Sequence, residues 1–537
     1  MSRYNVAFIL TLIVLLSLGL KLYTIDFSIP VNSDNMIFTL DAISYSNGEI
    51  FISAKKNPGW PMFASLFTHL IDSNKFIDYS NLMRVLSMGI SLLTILPMYI
   101  FARKFFNEKY SIVAASLFAF EPHLNFNSNL ALSEPLYIFV MIISFVLILN
   151  KNEKFIYFSF ALAGILWWIR LEGITLFIVI SIIFFLNFRK TSKVIPKYLL
   201  CIVIFILVIS PNLFLREQQF DDPFYFKWNE LIDMKDDKNL QTLNTSKLDI
   251  QPIRGSVLKI EQILWGLSIF ETLIHVLFPY IIILIPFGIF FSFKIFDQNS
   301  KLIKANWIMI LVTIGILTII FTINPDRRYL FQLYPYFIIF SVIPIQRLIE
   351  YGSNIFSFDE GEKNIFLIVV VCIIFVLGGL FTTLRFGPSD LIYENEKIEF
   401  VRLLNENFDG GILDAGNAIE YFTYSQIVDS EGIFDKNKPK NTKDVSLYIY
   451  IPGSVTQTIV SEKSLDELIL NGKEDGLKYI AVKKDETFIH LHFLDDVYAN
   501  EGNYPYLKKV FDSNEKGFQK LKVKVFEIDY KKFANLN

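Results

Sequence analysis

Stretches of about twenty mostly apolar residues alternate with short charged segments along the first two-thirds of the chain, and each is long enough to cross a bilayer as a helix. They fall near 6–24, 82–102, 110–128, 131–150, 155–170, 172–188, 197–215, 273–293, 305–323, 329–348 and 364–384. That makes about eleven spans, and the apolar stretches at Ile263 to Leu273 and around Trp60 leave the count open by one or two. Two long polar loops interrupt the series, at 24–81 and 216–272. After Phe386-Gly387-Pro388 the charges spread out and short strand and helix patterns alternate. Strands are expected at Gly411 to Ala415, Val445 to Ile451, Lys478 to Lys483 and Leu521 to Ile528. Helices are expected at Asn417 to Gln426, Ser464 to Leu470 and around Tyr504 to Asp512. The predicted architecture is an α-helical polytopic membrane protein, residues 1–387 with its two outer loops, followed by a C-terminal soluble α/β domain, 388–537.

Composition agrees with lipid as the solvent: hydrophobic residues make up 53% of the chain and phenylalanine alone numbers 54. The net charge of -3 gives no reason to expect a nucleic-acid partner. Cys201 and Cys372 lie in distant apolar runs and read as packing residues rather than a disulfide. The first apolar segment follows Arg3 and lacks a small-residue cleavage site, so it reads as a retained signal anchor.

Basic residues set the orientation. Arg103, Lys104, Lys109, Lys151, Lys154, Arg189, Lys190, Lys193, Lys197, Lys294, Lys301, Lys304, Arg347 and Lys363 share one side if the spans alternate. That side is the expected cytoplasm. The N-terminus is then inside, and both long loops and the C-terminal domain are outside, in a plasma-membrane protein. Asp34, Asp41, Arg84, Glu121, Glu134, Arg170, Glu172, Glu271, Asp326, Arg327 and Arg328 fall at predicted outer ends. An ion-coupled transporter would place charge nearer the midplane. Charge gathered at the outer surface suits chemistry on a lipid head group.

Several motifs carry a plainer reading beside the functional one. Gly410, Gly411 and Gly416 lack dinucleotide-binding spacing and suit ordinary turns. His490 and His492 share a strand face without a third metal ligand nearby. Asn244-Thr245-Ser246 is a glycosylation acceptor pattern in an outer loop. Asp34 lies just past the first span, as a general base would, or as a cap for a helix starting at Asn35. Asn57-Pro58 turns into a short amphipathic helix on the membrane surface. Glu134 opens a span beside Pro135, where a helix dipole favours an acid. Arg170 and Glu172 either bind substrate or anchor a span end. Arg327 and Arg328 stand at an outer mouth against the positive-inside trend, and guanidinium groups suit phosphate; phospholipid heads are the plain alternative.

Taken together, Asp34, Asn57-Pro58, Ser133-Glu134-Pro135, Arg170-Leu171-Glu172-Gly173 and Arg328-Tyr329-Leu330 with Pro335 give a chain that resembles the GT-C integral-membrane glycosyltransferases. It is most similar to their branch of dolichyl-phosphate-mannose protein mannosyltransferases and the aminoarabinose transferase. Asn35 departs from the second acid often found there, and the Trp-Trp-Asp-Tyr-Gly signature of oligosaccharyltransferases is absent. The resemblance implies transfer of one sugar from a polyprenyl or dolichyl phosphate to an acceptor hydroxyl on the outer face, a mannosyltransferase-like activity. Asp34 would be the catalytic base. Arg327, Arg328 and Tyr329 would bind the donor phosphate, and Glu134, Arg170, Glu172 and Asn57 would serve as a second acid or position substrate. The implied partners are the lipid-linked sugar and a protein or glycolipid acceptor; no cofactor is called for, and a divalent metal is left open rather than indicated. The rival is a transporter or flippase of a lipid-linked substrate that breaks no bond.

Overall fold

Every one of the expected spans contains helix, because uninterrupted apolar sequence in lipid must satisfy its backbone internally. The computed structural model describes residues 3–52, 57–150, 152, 154–189, 193–224, 260–295, 300–321, 326–357, 359–388, 390–414, 418–428, 433–437, 439, 449–450, 464–474, 476–484 and 493–536. The sequence readings at Asn244, Ser246, Gly416, His490 and His492, and most of the 216–272 loop, lie outside these residues. Among the described residues, 6 helices are long and apolar enough to cross a membrane, or up to 7 if the pair Ser268–Leu277 and Ile281–Phe293, bent by 105°, counts as one. The helices Glu134–Ile148, Lys154–Ile169 and Gly173–Phe188 are apolar but only about 22–24 Å long, short of a hydrocarbon core of about 30 Å. The expected segment 110–128 is broken into Glu108–Ala119 and Pro122–Asn129, with Glu121 capping the second piece. Glu121 and His123, which pair at 3.1 Å, are buried there within the helices rather than set at a surface.

The described chain divides into two compact units. The first joins Met1–Thr24, Ile50–Phe63 and Arg84–Gly387. Its interior is sealed by close contacts at glycine: a Cβ on Gly59 would lie 2.7 Å from the backbone of Trp168 and Ile169. That approach seats the helix Gly59–Thr68 against the end of Lys154–Ile169, with Trp60 fully buried. The helix expected to lie on the membrane surface is thus docked into protein at its start.

The second unit joins Ile25–Glu49, Ala64–Met83 and Pro388–Asn537. Much of the first outer loop therefore groups with the tail instead of with the spans that flank it. Among the described residues the tail carries a five-stranded sheet: β1 (Gly411–Asp414), β2 (Ile449–Tyr450), β3 (Leu477–Lys483), β4 (Leu507–Asp512) and β5 (Val523–Ile528), in the order β2-β1-β3-β5-β4. Among the described strands, β1 and β3 run parallel and the other pairs antiparallel. Side chains alternate along β3, so Ile480 and Val482 enter one core with Leu468, Leu494 and Phe526. Tyr479 and Ala481 enter the other with Phe400, Leu404 and Val525. The helix expected around Tyr504 to Asp512 is instead strand β4, held antiparallel to β5 from Leu507 to Asp512. The ladder to a buried neighbour decides that segment, because propensity in strands yields to packing. Glu396, on the helix Leu391–Asn407, accepts the backbone N–H groups of Gln519, Lys520 and Leu521 at 2.5, 2.9 and 2.7 Å.

Candidate functional site

Four of the residues singled out in the sequence come together in the first unit. Arg170 follows the helix Lys154–Ile169, and its guanidinium reaches Glu134 Oε1 at 2.6 Å and Glu172 Oε1 at 3.1 Å. It also donates to Ser133 Oγ at 3.1 Å and lies 5.4 Å from the ring centre of Tyr329. One cation thus gathers the Ser133-Glu134-Pro135 helix start, the Glu172 turn and the 3-10 helix Arg327–Leu333. Arg is suited to this, since its planar fork bonds two carboxylates and stacks on an aromatic face. Tyr137 ties two of the same segments together, donating to Glu172 O and Gln332 Oε1 at 3.2 Å each.

The cluster is not fully satisfied. Glu134 is 3% exposed, and its Oε2 has no hydrogen-bond donor among the described residues. A buried oxygen left this way costs about 1–3 kcal/mol, so it is an open acceptor for a hydrogen-bond donor. Just before it, Ala131 sits in the left-handed region at φ 55, unusual for a residue with a Cβ, and its carbonyl accepts the Trp60 indole N–H at 2.9 Å. Backbone strain held by surrounding packing is a recurrent mark of functional sites.

The two arginines of the 3-10 helix have different roles in the geometry. Arg328 is engaged by Asp326, with Nη2 at 2.6 Å and Nε at 2.7 Å from Oδ2. Burial tends to raise the Asp326 carboxyl, but the Arg328 charge and its hydrogen bonds outweigh it and hold the group below the usual carboxylate range. Arg327 is exposed and has no ion-pair partner among the described residues. Tyr329 is buried beneath Arg170.

Asn57 braces the turn before Gly59. Its Nδ2 donates to Trp167 O at 2.8 Å and its Oδ1 accepts from Arg216 Nη2 at 2.9 Å. Arg216 in turn donates through Nε to Asn212 Oδ1 at 3.1 Å. Arg216 and Asn212 were not singled out in the sequence; the signal was a buried charge near the end of the apolar helix Val194–Phe220, four residues after an asparagine.

Asp34 belongs to the second unit. The helix Ser33–Ser46 is capped by Asn32, whose side chain accepts the Asn35 N–H at 2.9 Å, so Asp34 is a first-turn acid and not the cap. It is half-buried. Asn35 turns inward: it is fully buried, accepts a hydrogen bond from Ser80 and has no acceptor for its Nδ2 among the described residues. The position after Asp34 therefore faces a core, where a second acid would be costly. Among the described residues no three His, Cys, Asp or Glu side chains converge as metal ligands would.

The assembly of apolar helices, buried charge clusters at helix starts and an appended α/β domain resembles the polytopic membrane glycosyltransferases of GT-C type. Residues 55–214 match the family model of dolichyl-phosphate-mannose-protein mannosyltransferases. That segment holds Asn57, Glu134, Arg170 and Glu172. Among solved structures, the oligosaccharyltransferase of Archaeoglobus fulgidus in complex with Zn and sulfate superposes at a TM-score of 0.57 and 11% identity, over 96% of this chain and 72% of that one. The same organism's AglB with an inhibitory peptide and a dolichol-phosphate gives 0.55 and 11%, over 94% and 73%. ArnT from Cupriavidus metallidurans bound to undecaprenyl phosphate gives 0.55 and 10%, over 96% and 97%. At such identities the likeness is one of fold. No curated protein matches by sequence. The resemblance to the GT-C glycosyltransferases, on the side of the mannosyltransferases and ArnT, therefore holds in both fold and family model.

Proposed function

We propose that this protein transfers a single sugar from a polyprenyl or dolichyl phosphate to an acceptor hydroxyl outside the cytoplasm. The observation that carries the reading is the Arg170 cluster with its open Glu134 oxygen, which lies inside the segment similar to the mannosyltransferase family. The sugar's bond to the phosphate oxygen breaks, the acceptor oxygen takes its place at the same carbon, and the lipid phosphate leaves as an anion. No general acid is needed for that leaving group. Positive charge near it is, and exposed Arg327 is the better placed of the two arginines, Arg328 being held by Asp326.

Asp34 accepts the acceptor's proton. A carboxylate is a weak base toward an alcohol, so the transfer comes late and depends on positioning. Glu134 Oε2 accepts a hydrogen bond from a substrate hydroxyl, while Arg170 holds the carboxylate in place. The mannosyl-like choice of sugar follows from the family match alone. The loop at Asn152 is placed in the cytoplasm and the region after Asp390 outside, on the asymmetry of basic residues. Impermeant thiol labelling of single cysteines at those two sites in intact cells tests this; labelling at Asn152 and not at Asp390 reverses it.

Purified protein supplied with radiolabelled polyprenyl-phosphate sugar and a hydroxyl acceptor tests the reaction. Label transferred to acceptor supports it. Label that stays on lipid, in vesicles where the protein moves the lipid-linked sugar across the bilayer, establishes the flippase reading instead.

A further inference from the structure

The helix that carries Asp34 is gripped along one face by a core it shares with the C-terminal domain. Met36, Leu40 and Ile43, spaced four and three apart, form one stripe and are 1%, 1% and 2% exposed. Against them pack Phe76 and Tyr79 from the helix Phe76–Leu93, and Ile427, Val428 and Phe434 from the last residue of the helix Ile419–Ile427 of the tail and the chain after it. Phe434 is the centre of this joint. Its ring meets Phe76 edge-on at 5.2 Å and Tyr79 at 5.9 Å. Its backbone N–H donates to Asn74 O at 2.8 Å. Two residues on, Lys436 pairs with Asp72 and gives its carbonyl to Asn47 Nδ2 at 2.7 Å, at the C-terminal end of the Asp34 helix.

From Met36, Asp34 is two residues back, about 200° around the helix. The stripe therefore fixes the helix about its own axis while leaving Asp34 on the opposite side. Every residue from Asn35 to Ser44 is buried, so the helix moves with its packing as one piece, and a shift in the core around Phe434 is passed on to Asp34 at its first turn.

We infer that Phe434 is a positioning residue of the transfer reaction: through Met36, Leu40, Phe76 and Tyr79 it sets the direction in which Asp34 presents its carboxylate. The inference rests on the transferase reading with Asp34 as proton acceptor. The tail then serves the chemical step itself, from a residue that meets no substrate. Phe434 joins the two loop segments to the tail by both ring and backbone, with Tyr424 adding a second ring contact to Phe76. Removing its ring opens a void beside Tyr79, and displacement of a reacting group by about 1 Å costs on the order of 100-fold in rate.

The experiment measures turnover at saturating donor, donor dissociation constant and melting temperature for the full-length enzyme and its Phe434→Ala, Phe434→Leu and Asp34→Asn forms. The expected result is that Phe434→Ala loses about 10- to 100-fold in turnover with donor affinity unchanged. Phe434→Leu, which refills most of the void, recovers a large part. Should Phe434→Ala fail to fold, Phe434→Leu decides, with a smaller loss in turnover at wild-type donor affinity expected. Unchanged turnover in the folded variants overturns the inference. So does a loss that appears in donor affinity with turnover intact. Asp34→Asn keeps the two failures apart: if it is fully active, the reading of Asp34 falls, whereas an inactive Asp34→Asn beside a fully active Phe434→Ala removes only the role given to Phe434.

Discussion

Arg170 holds Glu134 by one oxygen at 2.6 Å and leaves the other, Oε2, buried with no donor among the described residues. The two oxygens therefore have separable jobs. Glu134→Gln keeps a carbonyl for Arg170 and places an NH2 where the open acceptor was. If Oε2 receives a substrate hydroxyl, turnover falls by about 100-fold while the melting temperature barely moves. If Glu134 only anchors Arg170, turnover stays and a loss of about 1–3 kcal/mol in stability is seen. Steady-state kinetics beside a thermal melt separates the two.

Asp34 and its neighbour Asn32 give a second test, because the cap and the acid are different residues. Asp34→Asn is expected to lower turnover by about 100-fold or more with donor binding retained. Asn32→Ala removes the cap, costing about 1 kcal/mol, and leaves the proton acceptor in place. An active, stable Asp34→Asn enzyme ends the case for Asp34.

Arg327→Ala is expected to weaken donor binding more than Arg328→Ala, since the Arg328 charge is already met by Asp326. Arg328→Ala acts differently. It releases an Asp326 carboxyl whose folded-state pKa is depressed, so the stability that Asp326 contributes is present above its unfolded pKa and lost as pH falls through the folded one. The wild-type advantage in melting temperature over Arg328→Ala should be full at pH 7 and shrink as pH drops below about 4. Calorimetric titration with a polyprenyl phosphate gives the first comparison and melts at several pH values give the second.

Glu396 makes the same sign argument in the tail. Burial raises its carboxyl, but the backbone N–H groups of Leu521, Gln519 and Lys520 outweigh that and hold it below the usual range. Its stabilising effect is fully present above the unfolded pKa of about 4.3 and lost on acidification through the folded value. Glu396→Gln should speed hydrogen exchange at 519–521 at neutral pH, with the gap to wild type closing below about pH 4. Equal exchange at pH 7 would mean those bonds hold nothing in place.

Much of this was legible in the chain. While the polar helices Ser33–Ser46 and Leu391–Asn407 had no such signal, uninterrupted apolar runs marked stretches that do contain helix. What they could not settle was how far a helix continues: the break at Glu121 depends on a carboxylate accepting the Leu124 N–H at 2.7 Å, and the shortness of Glu134–Ile148 on where the Arg170 cluster begins. Arg170 and Glu172 stand out as a pair two residues apart, while the bond from Arg170 to Glu134, 36 residues back, exists only after folding. β4 was misread as helix since its partner, β5, lies further along the chain. Contact between the tail and the outer loops is expected from the chain, but the residues that make it are not legible for the same reason, as no local pattern in Met36, Leu40 and Ile43 names what covers them.

That joint also has a history in time. Asp72 and Lys436 are 364 residues apart, and a ribosome adds about 5–20 residues each second, so the loop emerges roughly 20–70 s before its cover is made. Through that interval Met36, Leu40, Ile43, Phe76 and Tyr79 have no Phe434 to close over them. A later segment of the chain thus completes an earlier one, and a product cut short anywhere before Phe434 keeps an uncovered apolar stripe for quality control to find.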